Sequence, residues 1–149
     1  MTSNVPALRI WYADNFVVYY KAHAFHFNVQ GPTFAQDHSL LEEVYDFLWD
    51  QHDVIGEQIR QEGKAVVPSL ADILEISCIT ESTKTNAGSK QMFNELIEDI
   101  DTLMTRAQTV YNQAEGSDCG GVSTMAGDYL KALSKIQWKL KATNGDSIK

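Results

Sequence analysis

Cysteine is scarce, with Cys78 and Cys119 the only two among 149 residues. They have no CxxC spacing and are too few for a disulfide framework, so each is expected as a reduced, semi-buried filler thiol in a cytoplasm. No window holds 18 apolar residues, which argues against a membrane span. The opening stretch MTSNVPALRI has no basic, apolar and small-residue succession of the secretory kind. Cationic side chains are few there too: Arg9 is the single one in the first 20 residues, so no basic arm is expected. The chain also has no sustained period-2 alternation, internal repeat or low-complexity segment. Strand-rich and solenoid folds are therefore poor fits.

What remains is a normal globular balance, 44% apolar and 21% charged, in a length that suits one core and is short for two. A single domain over residues 1–149 is expected. The net charge of −8 repels a phosphate backbone and attracts cations. Lys135, Lys139, Lys141 and Lys149 make the tail mildly basic without a run of like charge. Metal ions are better partners for this surface than nucleic acid.

Helical periodicity dominates. Val5 to Val29 reads as one helix with Leu8, Tyr12, Tyr19, His23 and His26 on a face, ended by Gly31-Pro32. Phe34 to Gln61 reads as a second, with the stripe Leu41, Tyr45, Leu48, His52, Ile55 and Ile59. Glu42, Asp46, Asp53 and Glu57 lie beside that stripe, and Gly63 is a stop. Residues 63–88 form a long connection in which Ser69 and Asp72 resemble an N-cap pair for a short helix. Such a connection lets the chain cross the full length of a bundle. Third and fourth long helices are expected over Ser89–Glu115 and Val122–Thr143, separated by the glycine-rich residues 116–121. The fold class is therefore all-α: a ferritin-like four-helix bundle with a short extra helix in the crossover between helices 2 and 3.

Four potential metal ligands stand out: His26, His38, Asp53 and Glu57. The last two are one helical turn apart on one face. His38 and Asp53, 15 positions apart on one helix, are separated by roughly 22 Å at 1.5 Å per residue. One ion cannot reach both within a chain. An antiparallel second copy would bring its Asp53 and Glu57 to this copy's His26 and His38. A lone helix histidine is more often a core or interface residue and an acidic stripe more often solvated, so joint placement is what favours ligands. The Glu-x-x-His pair of an intrachain di-iron site is absent, because Tyr20, His23, Ala35 and Trp49 stand three before the four histidines. The three tryptophans, Trp11, Trp49 and Trp138, are expected in the core or an interface.

The stretches Lys21–Gly31 (KAHAFHFNVQG), Phe34–His38 (FAQDH) and Asp53–Glu57 (DVIGE) resemble the signature of the Dps mini-ferritins, the starvation-induced DNA-protection family. Pro68–Glu75 is similar to that family's short crossover helix, and Lys135–Leu140, more weakly, to its final-helix motif. The resemblance covers nearly the whole chain. It implies a hollow dodecamer that oxidises Fe(II), preferably with hydrogen peroxide, and stores ferric oxide inside. The oxidising centre would straddle a two-fold dimer interface, with His26 and His38 from one subunit and Asp53 and Glu57 from the other, and Glu42 supporting a second iron. Glu43, Asp46 and Asp50 are candidates to nucleate mineral, and Asp118 and Asp128 to line an entry pore. Asp118 reads more simply as a helix-capping turn residue. Tyr19, Tyr20 and Tyr45 lie near the site as candidate carriers of oxidising equivalents. The implied location is the cytoplasm, with association with the nucleoid as a variant.

Three departures from the family pattern stand beside these matches. Phe27 replaces the tryptophan usual after the first ligand, Gly56 the usual alanine, and Gln58 the usual arginine. Two other readings compete with iron oxidation: a DNA-compacting protein, for which the missing basic arm predicts weak binding or none, and a helical assembly with an inactive metal site.

Overall fold

The structure, a computed structural model, describes residues 4–148. Met1–Ser3 of the opening stretch and Lys149 of the basic tail lie outside them. The described residues form five helices in the order α1 (Val5–Asn28), α2 (Phe34–Gln61), α3 (Leu70–Ile76), α4 (Ser89–Gly116) and α5 (Gly120–Thr143). There is no strand among them, only an isolated parallel bridge between Gln30 and Gly88. The fold is the all-α bundle with a short crossover helix that the periodicity predicts.

Long-range contacts fix the helix directions. Tyr12 lies against Gly56, and Asn15 bonds to the Leu48 carbonyl, so α1 and α2 are antiparallel. Lys21 reaches Asp99 while Asp14 reaches Arg106, which sets α4 antiparallel to α1. Gln137 bonds to Ile97 and Tyr111 lies by Gly127, which does the same for α5 and α4. The crossover therefore returns the chain so that α4 runs parallel to α2, as a full-length connection requires.

Turns make these reversals possible. Gly31 has φ 134, a region L side chains avoid, and its carbonyl accepts from Phe34 N–H at 3.1 Å as α2 begins. The α3 cap matches expectation: the Ser69 hydroxyl accepts from Asp72 N–H at 3.2 Å. The expected cap at Asp118 does not form. Cys119 is the N-cap of α5 without a side-chain bond, and Asp118 takes φ 57. Aspartate tolerates that left-handed turn, so Asp118 is the pivot between α4 and α5. Helix α5 also begins at Gly120, two residues earlier than expected.

The core runs the length of the bundle through Leu8, Val18 and Phe25 of α1, Leu41, Leu48 and Ile55 of α2, Leu96 and Leu103 of α4, and Leu133 and Leu140 of α5. Helix α1 is buried on most sides, because α2, α3 and α4 all pack against it. Its innermost residues include Trp11 and Asn15, which the expected Tyr12–Tyr19–His23 face does not contain. Among the tryptophans, Trp11 is a core residue, whereas Trp49 and Trp138 are exposed in the single chain. Cys119 is half-buried as expected, but Cys78 is exposed, because the chain is extended after α3 and turns that residue outward.

Two buried polar clusters tie the helices together. The Tyr129 hydroxyl donates to Asn15 Oδ1 at 2.8 Å, and Asn15 Nδ2 donates to the Leu48 carbonyl at 2.8 Å. Trp11 meets Tyr129 edge-on at 4.7 Å. Burial pushes the Tyr129 phenol far above its ordinary range, so it stays protonated as a donor. Fully buried Asp14 gathers the crossover. It accepts from the Ser77 hydroxyl at 2.7 Å, from Cys78 N–H at 2.8 Å and from Arg106 Nε at 2.8 Å.

Candidate metal centre

The end of α1 and the start of α2 meet through the tight turn at Gly31, which brings His26 and His38 together. Their rings stack at 3.6 Å between centroids with 18° between planes. Each ring is held by the other residue's backbone. His26 Nδ1 lies 2.8 Å from the His38 carbonyl oxygen, and His38 Nδ1 lies 2.7 Å from the His26 carbonyl oxygen. A carbonyl oxygen only accepts, so both Nδ1 atoms carry the proton and donate. In the neutral form each imidazole is thereby held as the Nδ1–H tautomer, which leaves the Nε2 lone pair for a ligand. Backbone carbonyls orient metal-binding histidines in just this manner.

The surroundings tighten the pair. Phe34 stacks on His38 at 4.9 Å, and Tyr45 meets His26 edge-on at 5.0 Å. Before His38, buried Asp37 accepts from the Thr33 hydroxyl at 2.6 Å, placing a carboxylate at the positive end of α2. His23 lies one turn before His26 and stacks face to face on Tyr45 at 3.9 Å. Burial lowers the His23 pKa, the neighbouring His26 lowers it further, and Asp46 opposes both. Burial likewise raises the Tyr45 phenol, helped by Glu42 and Asp46.

The acidic residues are arranged differently. Glu42 is one turn beyond His38, exposed, and accepts from the Tyr45 hydroxyl at 3.3 Å. Asp53 and Glu57 are exposed on the far half of the uninterrupted α2 and have no hydrogen-bond or ion-pair partner among the described residues. The structure therefore joins His26 to His38 and leaves Asp53 and Glu57 apart from them. Among the described residues no three His, Cys, Asp or Glu side chains are close enough to hold one ion. Imidazole nitrogen and carboxylate oxygen are both donor types that suit iron.

Of the remaining acidic candidates, Asp46 and Asp50 are exposed on α2, while Glu43 is paired with Lys139 at 2.7 Å. That pair also neutralises one lysine of the basic tail. Asp128 is exposed on α5. Gln58, at the arginine position, donates to Glu62 of its own helix at 3.2 Å. Phe27 is 69% exposed and stacks on His23 at 4.9 Å.

Periodicity did not reveal the reciprocal carbonyl bonds, because a backbone acceptor has no residue signature. It also missed the buried Lys21, which pairs with Glu95 at 3.0 Å and Asp99 at 2.8 Å. The one available signal was a lysine on an otherwise apolar face. No helix among the described residues is long and apolar enough to cross a membrane.

Comparison with known proteins gives a consistent answer. Residues 7–146 match the model of the ferritin-like domain. The chain is 35% identical over 130 residues to the DNA protection during starvation protein of Helicobacter pylori, covering 87% of this chain and 90% of that one. It superposes on the crystal structure of antigen TpF1 from Treponema pallidum with a TM-score of 0.91 at 31% identity, covering 94% of this chain and 90% of that one. A Dps protein from Vibrio cholerae, described as a member of the ferritin-like diiron-carboxylate superfamily, gives 0.89 at 25% identity, with coverage of 93% and 87%.

Proposed function

Since the chain belongs to the ferritin-like family and, within it, to the Dps mini-ferritins, we propose that it oxidises Fe(II) and stores the ferric product. Hydrogen peroxide is the preferred oxidant and oxygen the slower one. The whole chain acts as one domain, and copies assemble into a hollow dodecamer in the cytoplasm. His26 and His38 of one subunit and Asp53 and Glu57 of its two-fold neighbour hold the iron, with Glu42 beside it.

The observation that carries this reading is the pair of locked imidazoles with free Nε2 atoms, set on the same chain as an unpartnered Asp53–Glu57 pair that cannot reach them. Iron is substrate and cargo here. The imidazoles bind Fe(II), and the hard carboxylate oxygens favour Fe(III) as it forms. Glu42 and Tyr45, already hydrogen-bonded, accept or pass protons at the edge of the site. The exposed Asp46 and Asp50 offer oxygen ligands along α2 to a growing mineral. Consuming Fe(II) and peroxide together suppresses hydroxyl-radical formation, which protects DNA without binding it. A net charge of −8 argues against direct DNA compaction.

The test is the initial rate of peroxide-driven Fe(II) oxidation by the assembled protein. Simultaneous His26→Ala and His38→Ala replacement is expected to reduce it to the uncatalysed rate. An unchanged rate would remove these residues from the site.

A further inference from the structure

A two-fold axis that brings two halves of a site together fixes its own position along the helix. His38 and Glu42 stand toward one end of α2, Asp53 and Glu57 toward the other, and an antiparallel copy reverses that order. The level that meets itself is halfway between the two sets, at residues 47–48. Resting on the two-chain site proposed above, we propose that Trp49 lies at this axis, packs against its own copy, and holds the two halves of the iron site in register before any metal binds.

Geometry selects Trp49. It is one to two residues from the midpoint, about 2 Å along the helix at 1.5 Å per residue. Helical side chains lean toward the N-terminus, which carries its indole the rest of the way. At 3.6 residues per turn it projects within the same arc, roughly 100° wide, as His38, Glu42, Asp46, Asp53 and Glu57. Its side chain is 53% exposed in the single chain. In an isologous contact the residues at the axis meet their own copies, so one indole per chain becomes a pair.

Electrostatics calls for such a residue. Glu42, Asp46, Asp53 and Glu57 are all exposed on this face, and two like faces repel until cations enter between them. Attraction in the iron-free protein must therefore come from apolar area, and Trp49 is the large apolar side chain between the two carboxylate sets. The indole is supported from its own chain, 5.1 Å from the Tyr19 ring and 6.1 Å from the His52 ring. It also walls an apolar groove of about 520 Å³ with Phe16, Tyr20, Leu70 and Leu74. Tyr20 and Leu70 are each 63% exposed, so apolar surface runs from the axis onto α1 and α3, where the same second copy covers it. A tryptophan at the centre of a contact, ringed by polar groups, is where binding energy concentrates.

The experiment is thiol cross-linking of the full-length, iron-free assembly. Cys78→Ser and Cys119→Ser remove the native thiols. A new thiol is introduced by Trp49→Cys or, as a control on the same face, by Arg60→Cys. A short bismaleimide is added, and denaturing electrophoresis counts covalent dimers. Trp49→Cys should give mainly dimers. Arg60→Cys should stay monomeric, because two copies of residue 60 would stand roughly 35–40 Å apart along the helices. The reverse pattern, or Trp49→Cys chains that stay monomeric within an intact assembly, would overturn the proposal. A dilution series read by mass photometry tests the contact without a new thiol. Trp49→Ala should raise the concentration at which subunits separate by at least about tenfold, and Trp49→Phe, which keeps a ring, by clearly less. A Trp49→Ala curve that overlays the unsubstituted one would overturn the proposal as well. Peroxide-driven Fe(II) oxidation is read on unsubstituted protein alongside. Oxidation there, with no Trp49→Cys cross-link, refutes the axis placement alone. Efficient Trp49→Cys cross-linking, with Fe(II) left unoxidised, refutes the ferroxidase reading alone.

Discussion

The two halves of the proposed iron site are finished to different degrees. At the histidine end the chain completes its own work: the rings are stacked, each Nδ1 is tied to a carbonyl, and His26 is 5% exposed. At the carboxylate end Asp53 and Glu57 lie exposed on a helix surface with no hydrogen-bond partner among the described residues. An orienting cage built around one half only is what the proposed division of the site between two chains predicts. The nitrogen ligands need a fixed tautomer and direction, which costs hydrogen bonds inside the chain. The carboxylates need only a helix face and a partner.

The largest expected effects attack that contrast directly. Replacing His26 and His38 together, or Asp53 and Glu57 together, should abolish catalysed Fe(II) oxidation equally. Only the histidine change should also weaken the fold, by about 1–2 kcal/mol from lost buried hydrogen bonds, as read by urea unfolding. Equal stability losses from both pairs would erase the distinction between a finished and an unfinished half.

Next in size is a change remote from iron. Asp14→Ala leaves Arg106, the Ser77 hydroxyl and Cys78 N–H without their shared acceptor, and should cost about 3 kcal/mol. Reassembled protein should keep its iron-oxidation rate, because Asp14 holds the crossover and not the ligands. A rate that falls in step with stability would mean that the crossover shapes the site.

A smaller effect concerns pH. Burial disfavours ionised Glu95, but bonds and charge from Lys84 and Lys21 outweigh it and hold its carboxyl below the ordinary range. Its contribution is therefore present above the ordinary carboxylate range and lost as pH falls through the lowered value. Asp99 beside it behaves oppositely. Burial raises its pKa despite Lys21, so protonating Asp99 favours the folded chain. Glu95→Gln should cost roughly 1 kcal/mol at neutral pH and flatten the acid limb of stability against pH. An unaltered acid limb would show that Glu95 is not the group lost there.

The smallest change is Gly56→Ala. Helix propensity favours alanine by about 1 kcal/mol, yet the added Cβ would stand 3.3 Å from the Tyr12 ring. Tyr12 is itself stacked on His52 at 4.4 Å and has little room to give, so the melting temperature should barely move.

Much of this architecture was legible from periodicity. The stripes on α2, α4 and α5, the crossover and the Ser69 cap all follow from apolar spacing and turn chemistry. Three things were not. The true inner face of α1 escaped because a helix packed on most sides has no clear amphipathic stripe. The Asp118 turn was misread because a capping aspartate and a left-handed aspartate look alike in sequence. The locked tautomers of His26 and His38 depend on backbone carbonyls, which no side-chain pattern reports.

Mixing two inactive variants tests the shared site most directly. One lacks His26 and His38, the other lacks Asp53 and Glu57, and the two are co-assembled so that mixed dimers form. Each mixed dimer then rebuilds one complete site from the intact half of each subunit, and peroxide-driven Fe(II) oxidation should return in part. Co-assembled dimers that stay as inactive as either parent would contradict a metal centre divided between two chains.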